Sequence, residues 1–430
     1  MAILDEGLIP MPIWKRNLIV CWFGMLTASI GMSQIAPVLP LYIKHLGIHN
    51  TAQIEQFSGF AFGITFIMLA IFSPIWGKAA DEHGRKLMLI RASLGMAVII
   101  FSMGFVQNIY QFIGLRFLMG AVGGYSVACT TMIATQAAKE QVGWALGTLS
   151  TSMITGSLFG PMIGGYIAEN FGLRNVFFVT GTLLFISFVT TILFVKETFK
   201  KECHEPIIKT RDVLKNIPNK DLILTMFVTY FMLSLALFSI EPIITVYITQ
   251  LAHNTTHIAL LAGLAFSASG LASIITAPKL GKISDRVGPQ KVMLVALIIA
   301  GVLFIPQAFV RNPWQLIGFR FSLGLVIAGL GPSVNTLIKK ITPDAVAGRI
   351  YGFNMAAGYL GVFGGAILGG QVASHLGIRY VFFTTSALLL LNALWVWLKV
   401  YKRPECNLAP EDVSEAIVSS DVTEIEPLLK

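Results

Sequence analysis

The sequence predicts an all-α membrane protein: twelve transmembrane helices folded as two pseudo-symmetric six-helix bundles. Three observations predict it. Of 430 residues, 55% are hydrophobic and only 12% charged, with a mean hydropathy of +0.74; a soluble domain carries about twice that charge. Several apolar runs reach the ~20 residues a helix needs to cross a hydrocarbon core of ~30 Å. The chain also repeats itself, at an offset of 204 to 205 residues.

The repeat is legible residue by residue. Gly77, Asp81 and Gly84 recur as Gly281, Asp285 and Gly288, and Arg116 and Gly120 as Arg320 and Gly324. Pro37 and Tyr42 recur as Pro242 and Tyr247. Gly156, Gly160, Gly164, Gly165, Gly172, Arg174 and Phe177 recur as Gly361, Gly365, Gly369, Gly370, Gly377, Arg379 and Phe382. Such a register means two copies of one unit.

In chain order, a segment over 1–16 precedes the first bundle, 17–196; its spans are expected at about 17–43, 56–76, 87–107, 110–131, 143–169 and 174–196. The segment lacks an apolar core and a small-residue cleavage site, so the first span reads as an uncleaved anchor. A basic linker covers 197–219, and the second bundle, 220–401, follows with spans at about 220–249, 257–280, 290–310, 313–336, 348–375 and 378–401. The tail over 402–430 is acidic and lacks periodicity, which predicts disorder. Of the 31 Lys and Arg, 25 fall on one set of loops and termini and four (Lys44, Arg174, Arg311 and Arg379) on the other. That asymmetry predicts a multi-pass plasma-membrane (inner-membrane) protein with both termini cytoplasmic, and the linker's basic face suits anionic lipid headgroups. Cys21, Cys129, Cys203 and Cys406 fall in spans or cytoplasmic segments, so no disulfide framework is implied. The confinement of the basic residues to one face speaks against nucleic acid as a partner.

Several stretches carry chemistry. Gly77, Asp81, Gly84, Arg85 and Lys86 form the polar turn after the second span. Asp81 suits a helix N-terminus, whose free N–H groups and dipole attract an anion; the start of span eleven near Gly348 is the expected partner, making this turn a cytoplasmic gate. Asp285 marks the second copy, where Pro289-Gln290 replaces the Arg-Lys pair. Arg116, inside span four, needs a polar cavity or a partner, because a guanidinium in lipid is costly; either proton handling or a bond to backbone carbonyls of span one would satisfy it. The run Gly156, Gly160, Pro161, Gly164 and Gly165 gives span five a smooth packing face and a proline bend.

Glu241 is the one acid well inside an expected span, beside the kinking Pro242, and its repeat mate is Ala36. An intramembrane acid of this kind marks a proton or ion pathway. Candidate cavity walls are Met25, Gln34, Phe62, Phe66, Tyr125, Tyr230, Phe231, Phe238 and Asn354. The histidines show no metal-binding pattern, no phosphate-binding loop of the P-loop type is present, and no nucleophile–base pair stands out, so neither a metal, ATP drive nor enzymatic catalysis is expected.

Together the signature turn, the Gly-Pro-Gly-Gly run, Pro37-Val38-Leu39-Pro40 and Gly143-Trp144-Ala145-Leu146-Gly147 resemble the twelve-span drug:proton antiporters of the major facilitator superfamily, over residues 14 to about 400. The resemblance implies export of amphiphilic small molecules in exchange for protons, with the proton gradient in place of a cofactor, by a chain acting as a monomer in the membrane. Unlike several drug exporters, span one carries no acid, its polar residues being Ser33 and Gln34. Repeat and topology alone leave the cargo open: a same-fold facilitator of a sugar or organic acid, or a transport-dead receptor, shares them.

Overall fold

In the computed structural model, residues 12–137, 141–197, 220–252, 257–342 and 344–401 are described. The linker beyond Glu197 and the acidic tail lie outside them. The described secondary structure is helical, with no strand. The first half contains α1 (Ile13–Ser33), α2 (Ile35–His45), α3 (Thr51–His83), α4 (Arg85–Met103), α5 (Ile109–Val122), α6 (Tyr125–Gln136), α7 (Val142–Phe171) and α8 (Leu173–Phe194). The second contains α9 (Lys220–Ile240), a 3-10 turn (Glu241–Ile243), α10 (Ile244–Leu251), α11 (Ile258–Val287), α12 (Pro289–Gln307), α13 (Pro313–Ile327), α14 (Leu330–Ile341), α15 (Asp344–Leu376) and α16 (Ile378–Val396).

Ten helical stretches among the described residues are long and apolar enough to cross a membrane, and eleven if α1 and α2, bent by 45°, count as one. The expected fifth span, α7, is not among them although it runs for 30 residues. Its Gly, Ser, Thr and Pro content dilutes its hydropathy, the cost of a surface built for close packing.

Each half repeats the other's joints. Gly84 and Gly288 take φ of 90° and 101°, and Gly172 and Gly377 take 97° and 101°, so the chain reverses at matching places in conformations that L side chains avoid. Asn108 and Asn312 cap α5 and α13 by accepting from the amides of Gln111 and Gln315. Tyr42 donates to the Met103 carbonyl, and its mate Tyr247 to that of Gln307. The first rod of each half breaks at its shared proline. Pro37 and Pro242 have no N–H to give the carbonyl four residues back, and the helix is interrupted at Gln34 in one copy and at Glu241–Ile243 in the other. By contrast, α7 runs unbroken through Pro161.

Among the described residues, the halves meet toward one end, that of the turns at 46–50 and 377. There α3 packs on α15, with Gly59 against the Ala366 carbonyl and Gly370 against that of Glu55. α7 packs on α11, with Gly165 against Ala259 and Gly263 against Pro161. Ser267 Oγ donates to the Leu158 carbonyl at 2.6 Å, and the His257 amide to Glu169 at 2.9 Å. The broken first rods touch too: Thr245 Oγ1 on α10 donates to the Pro37 carbonyl on α2 at 2.9 Å. Toward the opposite end, Gly77, Gly143, Gly147, Gly281 and Gly352 have open space where a side chain would sit. Among the described residues, the close contacts between the bundles lie toward the first end.

Candidate functional site: a central cleft with an acid on a broken helix

The candidate site stands between the halves, inward of the end where they meet. Its inner wall is aromatic. Phe62 and Phe66 of α3, Phe238 of α9 and Tyr359 of α15 form one cluster, with ring centroids 5.3 Å apart for Phe62–Phe66 and 6.2 Å for both Phe62–Phe238 and Phe66–Tyr359. Three of the expected wall residues therefore come together, and Tyr359 joins them unpredicted. Others serve packing instead. Gln34 donates to Thr180, Tyr125 is buried and contacts Thr191, and Met25 is buried in the first half. Tyr230 lies across Gly358, and the Phe231 carbonyl meets Gly361, both holding α9 to α15. Asn354 is fully buried on α15, and among the described residues neither atom of its amide has a partner.

Glu241 stands on the 3-10 turn that Pro242 creates, partly accessible, facing the charge of Arg320 on α13. The two make no ion pair within hydrogen-bonding range among the described residues. Arg320 is buried, its guanidinium carbon 5.9 Å from the Phe266 ring centroid, and its Nε and Nη2 find no acceptor among the described residues. Arg116 repeats the ring contact at 5.9 Å from Phe62. Two of its nitrogens, however, are engaged: Nε donates to the Ala61 carbonyl at 2.9 Å and Nη2 to that of Phe62 at 3.3 Å, while Nη1 finds no acceptor among the described residues. Thr65 Oγ1 returns a bond to the Arg116 carbonyl at 2.9 Å. The carbonyl partners expected on span one are on span two, because α5 lies along α3, where Gly120 admits the Thr65 backbone.

The contact expected at the cytoplasmic gate falls largely outside the described residues. Gly77 faces open space, and the side chains of Asp81 and Asp285, like those at the start of α15, lie outside the described set. Arg85 and Lys86 hold to their own half: both amides donate to the Glu197 carboxylate, Arg85 Nη1 donates to Thr135, and Lys86 Nζ to the Ile192 carbonyl. The Gly156–Gly165 run splits between two partners. Gly156, Gly160 and Gly164 receive α1 and Gln34, whereas Gly165 receives α11 of the other half.

One acid was missed. Helix α3 begins at Thr51 rather than near 56, so Glu55 lies within the span, 3% exposed; Glu241 is not alone there. The signal was present in Asn50, whose side chain accepts from the amides of Ala52 and Gln53 as a helix cap. No group of three or more potential metal ligands forms among the described residues.

Two pseudo-symmetric helical bundles with broken first rods, meeting around an aromatic cluster and an intramembrane acid, are the architecture of a secondary membrane transporter. The family model described as the Major Facilitator Superfamily matches residues 21–261 and 222–420, and the chain belongs to that superfamily. It is 42% identical over 390 residues to the multidrug resistance protein MdtG of Salmonella arizonae, covering 91% of this chain and 96% of the relative. The same protein of Salmonella choleraesuis matches equally, at 42% over 390 residues. Among solved structures, a bacterial homologue of the human lysosomal transporter Spinster, inward-facing and occupied, superimposes with a TM-score of 0.76 at 12% identity, over 94% of this chain and all of the other. The human organic anion transporter MFSD10 gives 0.66 at 16% identity, over 90% of this chain. Both share the fold.

Proposed function

We propose that the protein exports amphiphilic drugs or toxic small molecules across the bacterial inner membrane in exchange for protons. Its relatives' name, multidrug resistance protein, supports the cargo class. The aromatic cluster of Phe62, Phe66, Phe238 and Tyr359 supports it physically, since such walls bind flat apolar bodies without demanding one hydrogen-bond pattern. With both termini cytoplasmic, as the basic-residue asymmetry expects, the end opposite the inter-bundle contacts faces the cytoplasm, and we read the structure as the inward-open state.

The observation that carries proton coupling is Glu241. It is an acid on a broken helix, at the edge of the cleft, opposite an arginine that no carbonyl neutralises. When Glu241 is protonated, Arg320 loses its counter-charge and the second bundle changes its preferred packing; when the proton leaves, substrate binding is favoured. Arg116, held to α3 by two carbonyls, acts as a positioning residue. Asp81 and its neighbours close the cytoplasmic end in the opposite state. One charge crossing 100 mV supplies about 2.3 kcal/mol and a tenfold proton gradient about 1.4 kcal/mol, enough for a substrate ratio of several hundredfold.

The test is flux of ethidium and Nile red in inverted vesicles with and without an imposed pH gradient. Gradient-driven accumulation of either dye by wild type, lost in Glu241→Gln, is expected. A metabolite facilitator of the same fold would move neither dye.

A further inference from the structure

We propose that Glu55 is a proton-operated latch on the outer seam, distinct from the coupling acid, that links external pH to closure of the outside of the cleft. The inference rests on the alternating-access and sidedness reading above.

The argument begins with position. Glu55 sits where α3 meets α15. Its own carbonyl packs on Gly370, one turn further along Gly59 packs on the Ala366 carbonyl, and Gln56 Nε2 reaches across to Ser374 Oγ at 3.1 Å. The carboxylate is nearly inaccessible, and among the described residues it makes neither hydrogen bond nor ion pair.

The ionisable groups on the elements packed around it supply no counter-charge. At the outer end they are Tyr42, Lys44 and His45 on α2, Tyr110 and Arg116 on α5, Glu241 on the 3-10 turn and His375 on α15; Tyr359, Tyr351, Arg349 and Asp344 follow toward the far end of α15. Lys44 and His45 are solvent-exposed or at the rim, Arg116 is bound to carbonyls, His375 bonds the Gln371 carbonyl, and Glu241 has the same sign. The cations of α4 meet α3 near Trp76, about 30 Å along the helix from Glu55 at ~1.5 Å per residue.

An unpaired carboxylate in such a seam is costly, whereas the neutral acid is tolerated. The seam must separate when the cleft opens outward, and separation admits water to Glu55. Closing therefore takes up a proton and opening returns it. By linkage, falling external pH favours the closed seam and rising pH favours the open one. The proton comes from and returns to the outer solution, so this group poises the cycle without setting its stoichiometry; that separates it from Glu241. No other acid in the described seam is so placed: Glu169, at the second seam, keeps the His257 amide.

The test uses the full chain in proteoliposomes with a reporter cysteine, Ala366→Cys. This site is buried in the closed seam, and Gly63 opposite leaves room for the sulfur. Labelling by a membrane-impermeant maleimide is followed against external pH from about 5.5 to 8, corrected for thiolate fraction with a free-cysteine peptide. Corrected labelling should rise at least threefold across that range in the parent. It should become low and flat in Glu55→Gln and keep a shifted rise in Glu55→Asp. A flat parent profile, or an unchanged rise in Glu55→Gln, overturns the proposal. Should Glu55→Gln not fold, Glu55→Met carries the same expectation. Glu241→Gln should lose gradient-driven dye transport yet keep the labelling profile, so failure of the coupling reading and failure of the latch give different results.

Discussion

Arg116 and Arg320 are copies of one residue, each over a phenylalanine of the preceding copy of the second rod, and they do different work. The first gives two nitrogens to carbonyls of α3 and leaves only Nη1 without an acceptor; the second leaves Nε and Nη2 without acceptors and faces Glu241. Where the first copy has Ala36 the second has an acid. The first half spends its arginine on cohesion, and the second keeps its arginine available for a charge that comes and goes. Symmetry in this chain supplies the hinges and seams, and departures from symmetry supply the chemistry.

The largest effect that sharpens this contrast is at Glu241. Glu241→Gln should reduce proton-driven dye export to the level of empty vesicles while the protein still folds. Transplanting the acid, as Ala36→Glu with Glu241→Gln, should not restore export, because Arg116 is already engaged; rescue would erase the distinction between the halves. Next come the arginines. Arg116→Ala removes two hydrogen bonds to α3 together with a large buried side chain and should cost about 3 kcal/mol, read as a lowered thermal midpoint in detergent. Arg320→Gln should cost less stability and instead shift the pH profile of transport. If both lose the same stability with the same profile, the comparison fails.

Glycines test the two ends. A methyl on Gly369 would drive into the Ser239 backbone, which cannot swing away, so Gly369→Ala should destabilise by about 1–3 kcal/mol. At its mate Gly164 the nearest atom is the Gln34 Cβ at 2.7 Å, further off than the Ser239 carbonyl oxygen is at Gly369, and a smaller loss is expected. The smallest effect is at Gly77→Ala. Nothing lies near that position here, so stability should change by no more than about 0.5–1 kcal/mol. A marked slowing of transport at unchanged stability would indicate that Gly77 meets the other half when the cytoplasmic end closes.

Much of this was legible in the chain. The internal repeat fixed the paired joints, and Pro37 and Pro242 marked both broken rods, because a missing N–H is a property of the residue itself. The glycine run announced a packing face without saying that Gly165 alone turns to the other half, since that depends on how the bundles tilt. The partner of Arg116 was misplaced by one helix: a buried guanidinium demands carbonyls, but the sequence does not say whose. Glu55 was lost to a boundary five residues out, although Asn50 is a capping residue in plain view. The unengaged state of Arg320 could not be read at all, because Arg116 and Arg320 sit in nearly the same words.

The most direct measurement is proton release from the purified protein on binding ethidium or Nile red, followed with a pH indicator in weakly buffered detergent solution. Wild type should release protons as dye binds, and Glu241→Gln should bind dye with no release. Undiminished release from Glu241→Gln would contradict the assignment of the coupling proton to the acid on the broken helix.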